Sequence, residues 1–218
     1  MKNFCLVFIL VPFVSIAQNI NTVDQYGKRQ GVWLKKYDDG SIRYKGSFQD
    51  DKPKGLFYYY YETGELRVKK QYFHNGDAAA AHFFYRNGGL QSSGLYVDEK
   101  KDSTWNYFSR DSILIMSEEY EKGKLNGTTK TFYNDGALYE IKSWKNDSLD
   151  GIWKQFFLDG GLKMETAYKD NLRHGKQIYY YPNGQVYYKG VYSKDLKSDV
   201  WEFFTEEGFS DTLINYND

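Results

Sequence analysis

Cysteine is all but missing from this chain of 218 residues: the single one, Cys5, lies in an apolar stretch near the start. Disulfides, thiolate metal sites and thiol catalysis are therefore excluded for everything after it. Histidine is scarce at 3 residues, and His74, His82 and His174 fall at three different positions of the pattern described below. Spacing thus gives them no shared role as metal ligands or general bases. Net charge is absent too, since 29 Lys and Arg balance 29 Asp and Glu. No overall field draws nucleic acid or anionic lipid to the chain. Beyond Ile16 there is no hydrophobic run long enough to cross a membrane as a helix. No nucleophile elbow, phosphate loop or dinucleotide fingerprint occurs. Together these gaps argue against an enzyme, a cofactor, a bound metal, a nucleic-acid partner or strong membrane binding.

The first seventeen residues have the form of a secretory leader. Lys2 supplies the basic start, Phe4 to Ile16 the apolar run, and Ser15-Ile16-Ala17 a small-residue cleavage site before Gln18. Cleavage after Ala17 would release a periplasmic or extracellular product. The chain then divides into a leader over 1–17, a lead or cap over 18–26 that covers the array edge or stays loose, and a repeat array over 27–218.

What the chain has in plenty is aromatic residues, 19% of the total with 22 Tyr and 15 Phe, and glycine at 20, against only 3 Pro. That mix suits strands joined by tight turns. An aromatic recurs every 24 residues at Phe48, Tyr72, Tyr96, Tyr120, Trp144, Tyr168, Tyr192 and Tyr216. Glycine follows the same step from Gly40 to Gly208, broken only at Ser112, and an aliphatic residue stands two places later from Ile42 to Val186. Each unit reads Gly-x-Trp-x-x-Phe-Tyr-x-Asp-Gly-x-Leu, an aromatic six residues on, and a polar link.

Such a unit predicts a β-hairpin. The pairs Asp39-Gly40, Asn87-Gly88, Asp135-Gly136, Asp159-Gly160 and Asn183-Gly184 match a two-residue type I′ turn, which would set Tyr133 opposite Leu138 and Thr129 opposite Lys142. Period-two alternation places the Trp site, the Tyr before the turn, the Leu and the late aromatic on one presumptive core face. The other face carries polar residues such as Arg43, Arg67 and Lys163. It also carries one ring per repeat: Tyr60, Phe84, Phe108, Phe132, Phe156, Tyr180 and Phe204. Ordering a lone hairpin costs roughly 1–2 kcal/mol per residue, against about 1.5–3 kcal/mol returned by each buried large side chain, so the hairpins must stack. The expected fold is all-β: eight stacked 24-residue antiparallel hairpins in an elongated, open, twisted sheet of about sixteen strands, roughly 75 Å long at about 4.8 Å per strand.

The pattern fails in its middle. Ala79 and Ala81 stand at the Gly and Trp sites of the third unit, and Ser109-Arg110-Asp111-Ser112 replaces the turn of the fourth. Either neighbours fill the gap left by the lost Trp, or a cleft or bend opens near Ala81. The recurring Asp38, Asp39, Asp135 and Asp159 are better explained by turn chemistry than by calcium. Asp111-Ser112-Ile113, Asp147-Ser148-Leu149 and Asp211-Thr212-Leu213 resemble O-glycosylation acceptors of some Gram-negative bacteria.

The run Gly151-Ile152-Trp153-Lys154-Gln155-Phe156-Phe157 followed by Asp159-Gly160-Gly161-Leu162 resembles the MORN-variant repeat of bacterial proteins, as do the Gly127 and Gly175 units. The resemblance implies a stacked hairpin array over residues 27–218. Some relatives carry an antitoxin label, and eukaryotic relatives are scaffolds that dimerise or sit near membranes. A secretory leader argues against an antitoxin role, because an exported partner would not meet a cytosolic toxin. Three readings of the second stripe, Tyr60 to Phe204, stay open: a surface for an unknown protein partner or self-association, a row of rings that stack on polysaccharide, or a covered second core.

Overall fold

The computed structural model describes residues 19–217, so the leader over 1–17 lies outside the described residues. The described residues form one 18-stranded sheet. Eight hairpins supply sixteen of these strands, from Arg29–Lys36 with Ile42–Gln49 to Leu196–Phe204 with Ser210–Asn215. Another is the short strand Thr22–Val23. The last arises because Asp150 splits one hairpin arm into Ser148–Leu149 and Gly151–Phe156. Strands pair antiparallel with their neighbours in the chain, without crossovers. The lead segment caps the first strand: Thr22 and Val23 pair with Gln30 and Arg29, and the Asn21 side-chain amide both accepts from the Leu34 amide and donates to its carbonyl.

Two kinds of turn alternate, and the type I′ turn is not at the Asp-Gly tips, where it was expected. At the Asp-Gly tips the loop has three residues. The Gly40 amide donates to the Tyr37 carbonyl at 3.0 Å, the Tyr37 amide donates to Ser41 at 2.9 Å, and it is the glycine that takes positive φ, +89°. Ser112 adopts the same conformation at +63°. A bulge follows, so that Phe132, not Tyr133, pairs with Leu138, while Thr129 still faces Lys142. The Asp or Asn before the glycine caps the turn: Asp39, Asp135 and Asp159 accept the amides of Ser41, Ala137 and Gly161 at 2.8–3.0 Å. The type I′ turns are instead the links between hairpins. Asp50-Asp51, Asn146-Asp147, Asp170-Asn171 and Lys194-Asp195 each have two successive positive φ values near +50° and +67°.

Apart from that of the third unit, the arms after a link contain a second bulge, centred on a residue of positive φ: Gly55 at +71°, Gly175 at +111°, and Ser103 and Asp199 near +57°. The third unit has Ala79 there. Alanine is disfavoured in that conformation, and the pairing runs unbroken from Val68 opposite Phe83 to Phe73 opposite Ala78. The displaced residues enlarge the link to His74–Asp77, with His74, Asn75 and Gly76 all at positive φ.

No second layer formed by the described residues covers the sheet. Among the described residues, substantial contacts between elements join sheet neighbours or involve the turn His74–Gly76. Burial therefore comes from side chains lying along the sheet on their neighbours, and large residues lie where the preceding strand is small. Phe57, Trp105 and Trp201, each 1–2% exposed, lie on Gly46, Gly94 and Gly190, where an added methyl would collide with the ring. Where that site holds Lys70, Glu118 or Thr166, the facing residue is Ala81, Thr129 or Gln177. Lys70 thus fills the space of the lost Trp, its ammonium 4.7 Å from the Tyr96 ring, and Ala81 is fully buried.

Candidate functional site

The seven rings of the predicted stripe occupy equivalent positions in successive hairpins, and all are half-buried. Their cover is local. The Lys45 ammonium lies 5.9 Å from the Tyr60 ring and that of Lys189 lies 4.9 Å from Phe204. Lys189 also pairs with Glu202 at 2.9 Å, and Lys154 with Glu165 at 3.0 Å. Burial, reinforced by Glu165, raises the Tyr180 hydroxyl above its ordinary pKa. The row is neither a fully exposed apolar patch nor a second core beneath another layer. It is a line of rings framed by charges of both signs.

The backbone beneath the row is stapled. The hydroxyls of Tyr37, Tyr61, Tyr85, Tyr133 and Tyr181 donate to the carbonyls of Tyr60, Phe84, Phe108, Phe156 and Phe204, each one repeat further on, at 2.7–3.0 Å. At the opposite edge of the array, Asp51, Asp147, Asn171 and Asp195 accept the amides of Arg29, Leu125, Leu149 and Arg173, one link back, at 2.7–2.9 Å. The two sets hold successive hairpins in register, which gives any repeating surface a fixed spacing.

On the face of the Trp sites, polar clusters fill the places between rings. Lys101 donates to the Tyr107 hydroxyl at 2.6 Å and lies 4.8 Å from the Trp105 ring, while Tyr120 donates to Glu118 at 2.8 Å. Burial lowers the Lys101 pKa, and burial together with Glu118 pushes Tyr120 up to about 12 and Tyr107 higher still. These tyrosines remain protonated near neutral pH, as donors rather than bases. The histidines stay apart, and among the described residues no three His, Asp or Glu side chains gather as a metal site would require.

Two of the clefts in the array gather basic side chains. The larger, about 760 Å³, follows from the enlarged third link and is lined by Lys28, Lys52 and Lys54 together with Asp50, Phe73 and His74. Its charge is partly balanced, since Lys52 lies 3.6 Å from Asp77. The smaller, about 380 Å³, lies between the first and third units, where Lys35, Arg43, Arg67 and Lys70 surround Tyr44 and Tyr59. Alternation had set Arg43 and Arg67 on the stripe face. The bulge after each Asp-Gly tip instead turns them to this cleft, the Arg43 guanidinium 5.7 Å from the Tyr37 ring. The one sequence signal for this grouping was the recurrence of arginine at 43 and 67, one repeat apart.

No protein of curated function matches the chain. Among solved structures, the crystal structure of TarM is similar over 43% of this chain and 20% of its own, at 18% identity and a TM-score of 0.32. The family described as MORN repeat variant matches residues 29–50, 53–76, 125–146, 149–170 and 173–194. These five segments are about half of the chain and omit the units with Ala79, Ala81, Ser103 and Ser112. With the stapled hairpin array, they show that the chain belongs to the MORN repeat variant family.

Proposed function

We propose that this chain is an exported, non-catalytic scaffold that associates through the stripe of rings from Tyr60 to Phe204, with a second copy of itself as the partner. Repeats of this family generally mediate interactions with proteins without being enzymes. The observation that carries the reading is the single-layer sheet: the stripe is half-buried by neighbours in its own plane, and no element among the described residues covers it. Two such faces can pack as a sheet-on-sheet sandwich, the arrangement by which open antiparallel sheets usually bury a second apolar row. The frame of Lys45, Lys189, Glu165 and Glu202 carries both signs, so two copies present each other with opposite charges around apolar centres. Export is supported by Lys2, the apolar run to Ile16 and the small-residue site at Ser15-Ile16-Ala17.

Light scattering on the chain from Gln18, beside a Phe132→Ser, Phe156→Ser, Tyr180→Ser variant, tests the reading. A dimeric parent and a folded, monomeric variant are expected. A parent that stays monomeric across the concentration range overturns self-association through the stripe, whatever the variant does. A variant that remains dimeric removes the stripe from the interface.

A further inference from the structure

Although the chain is neutral overall, its cations are not evenly placed. Lys35, Arg43, Arg67 and Lys70 line one cleft of about 380 Å³ that contains no carboxylate in its wall. Among the described residues none of the four makes an ion pair within 4 Å. Lys35, Arg43 and Arg67 are exposed, whereas Lys70 is partly buried, and Glu99 is the carboxylate whose charge reaches it. Between the cations stand Tyr44 and Tyr59, half-buried, with ring centroids 5.8 Å apart and planes inclined at 42°. Three exposed cations without a carboxylate partner, with Lys70 at their edge and its ammonium turned to Tyr96, surround two partly open rings and make a site for a ligand that is anionic and also has a flat apolar face.

We propose that this cleft binds an acidic linear polysaccharide, with Arg43 and Arg67 each holding a carboxylate and Tyr44 and Tyr59 stacking on sugar rings. The repeat spacing selects a polymer over an acidic peptide. Arg43 and Arg67 are one hairpin apart, so their separation along the array is two strand spacings, roughly 10 Å. That is the length of one disaccharide in an extended β-(1→4)-linked chain, in which every second sugar presents its carboxylate to the same side. An extended peptide repeats its like-facing side chains at roughly 6.7 Å and falls out of step with the arginines. Guanidinium forks match planar carboxylates in two hydrogen bonds, and the Tyr59 hydroxyl, kept neutral by burial and by its hydrogen bond with Tyr72, leaves the ring face for stacking. The cleft meets the stripe only at Tyr60 and includes none of Phe132, Phe156 and Tyr180, so the inference stands apart from association through the stripe.

The test uses isothermal titration of the chain from Gln18 with a β-(1→4)-linked mannuronate hexamer, with neutral mannohexaose and hexaglutamate as controls. The mannuronate hexamer is expected to bind, and each control at least about tenfold more weakly. Arg43→Gln with Arg67→Gln should weaken mannuronate binding by more than about tenfold, since each change removes a charge-assisted hydrogen bond to a carboxylate. Both arginines are exposed, and an unchanged circular dichroism spectrum confirms the fold of the variant. Tyr44→Leu keeps apolar bulk but removes the ring, and should lower mannuronate affinity without changing the response to hexaglutamate. Hexaglutamate binding as tight as mannuronate would make the cleft a peptide site and overturn the proposal. No heat with mannuronate, equal binding of mannohexaose, or full binding by the double-arginine variant overturns it as well.

Discussion

The hydroxyl of Tyr133 donates to the carbonyl of Phe156 at 2.9 Å, tying the tip of one hairpin to the arm of the next. The same bond occurs at four other steps, and Phe157 shows what happens without it: the sixth unit has a ring at this site but no hydroxyl for the carbonyl of Tyr180. Tyr133→Phe should therefore keep the packing and lose only the bond, at a cost of about 1 kcal/mol. Phe157→Tyr should supply the missing staple and raise stability by a similar amount. Urea midpoints of the two variants, compared at equal m values, give both numbers. A Tyr133→Phe midpoint equal to that of the parent would mean that water replaces the staple without loss.

Packing on the Trp face is a matched pair problem rather than a row of independent sites. Trp201 lies on Gly190 so closely that a methyl there collides with the indole, and Trp201 is 1% exposed. Gly190→Ala should cost about 1–3 kcal/mol and shift tryptophan fluorescence to the red as the ring lifts. The third unit holds the opposite arrangement, Lys70 facing Ala81. There Ala81→Trp alone should be strongly destabilising, whereas Lys70→Gly with Ala81→Trp rebuilds the Gly-Trp pairing and recovers much of the loss. A double-mutant cycle measures the coupling, which is expected to exceed about 1 kcal/mol. Additive effects would show that the facing residues do not compete for one space.

The period, the hairpins and the all-β array were legible because an aromatic at every twenty-fourth residue from Phe48 to Tyr216 is a local pattern that needs no tertiary knowledge. The turns were legible only as turns. Asp, Asn and Gly occur both at Asp39-Gly40 and at Asp50-Asp51, and composition alone does not say which pair takes two positive φ values. That difference matters beyond the loops, because the bulge after the three-residue tip decides which way Arg43 and Arg67 point. The stripe was visible as a row of rings, but its half-burial follows from the sheet being a single layer, a property of the assembled array that no 24-residue unit contains.

Acid stability should be governed by the link carboxylates. The Arg173 amide, and then its guanidinium, donate to Asp195 and hold its carboxyl below the ordinary value; at Asp51 the Arg29 guanidinium leads and the Arg29 amide follows. A depressed folded-state pKa means that the unfolded chain takes up the proton first. The stabilisation is thus fully present above the unfolded carboxylate pKa of about 3.9 and is lost as pH falls through the folded value. Asn171 already fills the equivalent place with a neutral amide, its oxygen accepting from the Leu149 amide at 2.8 Å. Asp195→Asn should accordingly keep the link and change the melting temperature little at pH 7, because both groups are exposed enough for water to screen the ion pair. Below about pH 4 the variant should lose less stability than the parent, since it has one fewer carboxylate to protonate. Thermal melts from pH 7 to pH 2.5 separate the two, and parallel curves across that range would show that Asp195 contributes through its shape alone.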